Sequence, residues 1–163
     1  MLLEQFGYDV VNSGELVQEI LGLSIKEAGR GRVQTLAHTF IQSPTGPETL
    51  AEAIYQRVIR SGKSRHLIDG LRNVKTFELL KRKLDGQLTL IYVDSTVDNA
   101  FLFYRSREDQ RISFDQFVEI LQHPVESDIP NLLPLSNVVI YNHGTRRSYQ
   151  ETVLKYFRQE LGQ

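Results

Sequence analysis

Four short stretches place chemistry-bearing side chains where an apolar run gives way to a helical pattern. Asp69-Gly70-Leu71-Arg72 joins a carboxylate to a guanidinium across a glycine turn. Such a carboxylate can hold Mg²⁺ or orient a hydroxyl, or it can simply cap the turn. The guanidinium can clamp a phosphate through two parallel bonds, or pair with Asp69 or Asp94. Asn142-His143-Gly144-Thr145, Asn12-Ser13-Gly14-Glu15 and Asp94-Ser95-Thr96 have the same form, small or polar groups opening a helix. A helix N-terminus presents free backbone N–H groups and the positive end of its dipole, which favours anions. The alternative is that each turn is an ordinary cap. Four on one rim favour a shared binding edge, with Ser13, Asp69, Arg72, Asp94 and Asn142 lining one concave site. Arg105 and Arg107, in YRSRED, follow a helical stretch and suit a lid.

Other motifs fail on their spacing. Ser61-Gly62-Lys63-Ser64 has the ending of a phosphate loop, but its first glycine would fall on Arg57, and a helix precedes it where a strand is required. His38, His66, His123 and His143 lack ligand spacing, and no nucleophile elbow or clear Ser/His/Asp set appears. The identity of any metal ligand is unknown at this level.

The elements that must hold these residues alternate in type. Strands are expected at Tyr8–Val11, His66–Asp69, Gln87–Asp94 and Val138–Tyr141, the third being richest in branched and aromatic residues. Met1–Phe6 reads as the last turns of a helix ended by Gly7. Ser13 is expected to cap a helix burying Leu16, Val17, Ile20 and Leu21; Ala28–Arg32 is expected as a turn before a helix over Val33–Gln42. Pro47 begins a helix whose stripe is Leu50, Ala51, Ile54, Tyr55 and Val58, and Asn73 caps one burying Phe77, Leu80 and Leu84. A helix from Ser95-Thr96 to about Ser106 follows. Ser113 and Gln116 form a capping box for another that turns Phe114, Phe117, Ile120 and Leu121 inward. Prolines 124, 130 and 134 interrupt regular structure, and Thr145 caps a closing helix. Strands alternating with helices, and no hairpin signal, predict one α/β domain over 1–163: a parallel sheet with helices on both faces.

The 163 residues suffice for a real core, and 40% hydrophobic with 24% charged residues is the make-up of a globular protein. No window approaches the roughly 18 apolar residues of a membrane helix, and no signal peptide opens the chain. The absence of cysteine excludes disulfides and thiolate chemistry, and fits a cytoplasmic location. Net charge is −1, but residues 57–83 carry nine bases against two acids. That segment is either a solvated surface or a surface for an anionic partner, phosphate or nucleic acid.

Taken in order, IDGLRNVKTFELLK, LIYVDS, YRSR and VVIYNHGT before a final helix resemble the P-loop nucleoside- and nucleotide-phosphate kinases. The adenylate kinase and dephospho-CoA kinase-like group is the nearest in look. VNSGELVQEIL resembles their acceptor-site entry. The resemblance implies a transferase fold that binds ATP with Mg²⁺, with a nucleotide or phosphorylated small molecule as partner. It implies catalytic roles for Asp69, Arg72, Arg105 and Arg107, cofactor contact by Asn142, Gly144 and Thr145, and substrate contact by Ser13, Gly14 and Glu15. Gln18, Ile41, Ala100 and Phe103 stand where the group often has arginines. The group's first strand, phosphate loop and P-loop lysine would precede Met1. That strand would lie mid-sheet, between the strand ending at Asp69 and the one ending at Asp94. Without it the chain can pair 66–69 directly with 88–93, fill the gap from a second copy in a homo-oligomer, or stay marginally stable, and either of the first two is the expectation if the chain is the complete protein. The chain alone should transfer no phosphoryl group. The competing expectation is an inactive nucleotide- or phosphate-binding module meeting an acidic partner through 57–83, nucleic acid being the less favoured one.

Overall fold

Asn12 marks the change from first strand to first helix. β1 (Asp9–Asn12) ends there because the Asn12 side chain accepts the Glu15 backbone N–H at 3.1 Å and caps α1 (Ser13–Leu21). The cap therefore falls one residue before the expected Ser13. Ser13 is instead buried in the first turn, its hydroxyl donating to the Asp69 carbonyl at 3.0 Å. The computed structural model describes residues 6–108, 112–160 and 162, and the expected helix over Met1–Phe6 lies almost wholly outside them.

These residues form two compact units. The first comprises Met1–Leu88 with Pro124–Leu132; the second comprises Thr89–His123 with Leu133–Gln163. In the first, α1 leads through a short α2 (Ile25–Ala28) to α3 (Arg30–Gln42) and α4 (Gly46–Arg60). The expected turn over Ala28–Arg32 shrinks to Gly29, whose φ of 77° breaks the helix at one residue. α4 has Pro47 in its first turn and buries Leu50, Ala51 and Ile54. It closes at Ser61, with Gly62 at positive φ beyond it. β2 (His66–Asp69) then pairs in parallel with β1, Asn12 opposite Asp69. α5 (Val74–Lys83) packs on α4 and buries Thr76, Phe77 and Leu80. Val11, Leu16, Val17, Leu50, Ala51, Ile54 and Leu80 form one continuous core.

The second unit begins with β3 (Ile91–Ser95), α6 (Val97–Glu108) and α7 (Phe114–Leu121). β4 (Val138–Asn142) and α8 (Arg146–Glu160) complete it. Ser113 and Gln116 form the expected capping box. Two corrections follow from packing. The strand expected from Gln87 starts only at Ile91. Its partner β4 starts at Val138, and at Leu90 the Asn137 side chain already takes the backbone N–H at 2.9 Å. On α7, Phe117 alone is buried, while Phe114 and Leu121 are each 40% exposed.

The strands are parallel, as alternation with helices requires, but they pair two by two: β1 with β2, and β3 with β4. A two-stranded sheet is marginal alone, and each here depends on its helices. Two 3₁₀ segments, Pro124–Glu126 and Ile129–Leu135, carry the chain through the proline-rich stretch.

Candidate functional site

The strand-end residues fall into two sets, each within its own unit. In the first unit the set is Ser13, Gly14, Glu15, Asp69, Gly70 and Arg72. The Ser13–Asp69 hydrogen bond locks the end of β2 to the start of α1. Gly70 has φ of 79°, and a Cβ there would come within 3.3 Å of the Ser13 hydroxyl. The tight turn that glycine was expected to supply is therefore real. The Asp69 side chain is exposed, on the rim. Arg72 does not pair with Asp69; its Nε lies 3.0 Å from Glu126.

The second set is Asp94, Asn142, Gly144 and Thr145. Asp94 meets His143, Oδ2 to Nε2, at 2.8 Å, with both side chains near half exposed. Asn142 is 6% exposed and donates from Nδ2 to Ser95 Oγ at 3.3 Å, while its Oδ1 is buried without a hydrogen-bond partner. A buried acceptor left unmade costs about 1–3 kcal/mol, which the bond to Ser95 offsets only in part. Asn99 braces the backbone of this loop: its side-chain amide donates at 3.0 Å to the main-chain carbonyls of both Asn142 and Gly144. Arg105 lies with its guanidinium over the Phe101 ring, 5.5 Å from the centroid. Arg107 is in the last turn of α6, its side chain outside the described residues.

Each helix N-terminus at a strand end already has a side-chain cap. α1 is capped by Asn12, α5 by Asn73 through Thr76 N–H at 2.9 Å, α6 by Thr96 and α8 by Thr145. At α5, Asp128 also accepts the Val74 N–H at 2.8 Å. Each side-chain cap consumes a donor that an anion would otherwise use.

Beside α1 lies an open groove of about 430 Å³, lined by Glu15, Gln18, Glu19, Gly22, Leu23, Ser24 and Glu27. Of the expected substrate residues only Glu15 reaches it, and three carboxylates repel a phosphate. Among the described residues no group of three or more His, Cys, Asp or Glu could hold a metal ion. A Mg²⁺ ion would fit only as a guest of nucleotide phosphates, with water and one carboxylate such as Asp69 or Asp94.

Sequence spacing missed three arrangements that folding creates. Asn99 and the Asp94–His143 pair are two. The third is Ser61 Oγ against His66 Nε2 at 2.5 Å. Ser61 also donates to the Val58 carbonyl and accepts the Lys63 N–H, and His66 has no carboxylate partner among the described residues. That pair closes α4 rather than forming a hydrolytic dyad.

The geometry defines an α/β protein of short parallel strands with polar, helix-opening strand ends. No family model matches the chain. It is similar to a UPF0200 protein of Methanothermobacter thermautotrophicus, 24% identical over 145 residues, which cover 88% of this chain and 73% of the relative. No helix among the described residues is long and apolar enough to cross a membrane.

Proposed function

We propose that this chain is a nucleotide-kinase-like domain that binds ATP or a nucleoside phosphate. It transfers a phosphoryl group only when a strand carrying the phosphate loop and its lysine is supplied. One observation carries the reading: β1 pairs in parallel with β2, and β3 in parallel with β4. These are the pairings left when the central strand is removed from the sheet that the resemblance implies. The tight Asp69-Gly70 turn and the Asn99-braced Asn142–Gly144 loop support it, as the catalytic and adenine-side elements of such a domain.

The test is to supply a strand and a G-x-x-x-x-G-K-[ST] loop in frame before Met1. Calorimetry then reads ATP affinity, and ³¹P resonance follows transfer to nucleoside monophosphates. Completion is expected to raise ATP affinity and stability together, while the 163-residue chain alone hydrolyses no ATP. ATP-dependent transfer by that chain alone, or no gain in affinity on completion, overturns the reading.

The inactive-module alternative draws less support from the basic segment than its composition suggests. Arg57 pairs with Glu19, Arg72 with Glu126 and Lys83 with Glu52. Internal pairing reduces the charge left for an acidic partner or nucleic acid. A salt-dependent gel shift indifferent to nucleotide would favour that alternative.

A further inference from the structure

The donors expected to meet a phosphate in the first unit are engaged by carboxylates of the same chain. Pro124–Leu132 belongs to that unit although it comes from late in the sequence. Two of its side chains reach the turn after β2. The Glu126 carboxylate, 15% exposed, sits 3.0 Å from Arg72 Nε. Asp128 Oδ2 accepts from the Val74 N–H at 2.8 Å and the Asn73 amide at 3.0 Å, and its Oδ1 accepts from the Asn131 amide at 2.9 Å. A guanidinium, a first-turn N–H and a side-chain amide are the donors a phosphate would seek, and carboxylate oxygens accept from them in the same way.

The two carboxylates differ in what they do for the helix. Asp128 completes the cap of α5, so removing it leaves backbone and side-chain donors unmet. Glu126 caps nothing: its partner is Arg72, whose side chain is 46% exposed. An ion pair with one member half in water is held weakly and can be exchanged for another anion. Exchange keeps Arg72 paired and returns Glu126 to solvent.

We infer that Pro124–Leu132 is an autoinhibitory strap, in which Glu126 holds Arg72 as an internal anion that a phosphate-bearing ligand must displace. The inference rests on the reading of Arg72 as a phosphate ligand. It adds that the site is closed by its own chain until ligand competes.

The experiment uses the full chain and AMP as the probe, with affinity read by calorimetry. Glu126→Gln keeps the shape and removes the charge, and should bind AMP about fivefold more tightly than wild type. The Arg72→Ala, Glu126→Gln double variant should lose that gain. In the wild-type chain, the Glu126 side-chain carboxyl ¹³C resonance should move as AMP saturates, a reading that needs no variant to fold. If Arg72→Ala weakens AMP binding while Glu126→Gln leaves it unchanged or the Glu126 resonance stays still at saturation, the strap is overturned and the site stands. If Arg72→Ala binds AMP as wild type does, both the site and the strap fail.

Discussion

The two units are built from the same strand-then-helix plan, yet they bury their apolar residues to different degrees. The first hides Ile54, Ala51, Leu80 and Thr76 completely, between α4 and α5. The second buries Tyr104, Phe117, Ile140, Val153 and Phe157, but leaves Val93, Val97, Leu102, Phe114, Leu121, Leu133, Leu135 and Tyr141 exposed. Of the ten exposed large hydrophobics among the described residues, eight belong to the second unit. Stability in the first unit therefore resides in side-chain packing. In the second it leans more on polar ties such as Asn99, the Asn137–Leu90 bonds and the capping box on α7.

The sharpest way to break that contrast is to truncate one leucine in each unit. Leu80→Ala, at a site with no exposure, should cost about 3 kcal/mol in urea unfolding. Leu102→Ala, 61% exposed, should stay within about 0.5 kcal/mol. Equal costs would mean that burial does not separate the units.

A glycine pair comes next. A Cβ on Gly46 would run into the Phe40 carbonyl oxygen, fixed backbone in the last turn of α3. Gly46→Ala should therefore cost about 2–3 kcal/mol. A Cβ on Gly144 would meet Ser148 alone, its Oγ at 2.6 Å, and a change of side-chain rotamer moves that oxygen away at the cost of its bond to the Thr145 carbonyl. Gly144→Ala should cost less than about 1 kcal/mol, and thermal melts of the two variants decide between them.

Caps sharpen the comparison further. Asn73 accepts from both the backbone and the hydroxyl of the buried Thr76, whereas Thr145 accepts the Ser148 N–H at an exposed helix start. Asn73→Ala should cost about 1.5 kcal/mol and Thr145→Ala about 0.5 kcal/mol, read by chemical denaturation. A larger loss at Thr145 would place the weight of stability in the second unit.

The smallest effect is electrostatic. Lys83 Nζ lies 2.7 Å from Glu52, joining α5 to α4. Its hydrogen bond, with help from Gln56, holds the Glu52 carboxyl below the usual carboxylate range, and the same bond raises the Lys83 amine. The Glu52 contribution is thus present above the ordinary carboxylate pKa and fades as pH falls through the lowered value. The Lys83 contribution is present below the ordinary lysine pKa and fades as pH rises through the raised one. Glu52→Gln should flatten both arms of the stability–pH curve, and added salt should shrink the difference. An unchanged acid arm would show that the pair contributes nothing.

Local structure was legible because its causes are local. Asn73, Ser113, Thr96 and Thr145 each act within three residues, so type and spacing alone identify the caps. The glycine turn at Asp69-Gly70 and the stripe Leu50, Ala51, Ile54 were readable for the same reason. The Asn12–Ser13 misplacement was an ambiguity of one residue between two good caps, and Asp69, fifty-six residues away, settled it by taking the Ser13 hydroxyl.

What the sequence by itself determined is the alternation of strand and helix, the parallel sense of the strands and the polar character of their ends. These follow from periodicity, turn chemistry and backbone handedness, all properties of short segments. Only the tertiary structure decided which charge each arginine meets, where β3 begins and how the strands sort into pairs. Arg72 finds Glu126 and Asp94 finds His143 because chain segments distant in sequence converge, and a side chain takes the partner within reach rather than the one nearest in sequence. β3 starts at Ile91 because a ladder needs a neighbour, and the neighbour starts at Val138.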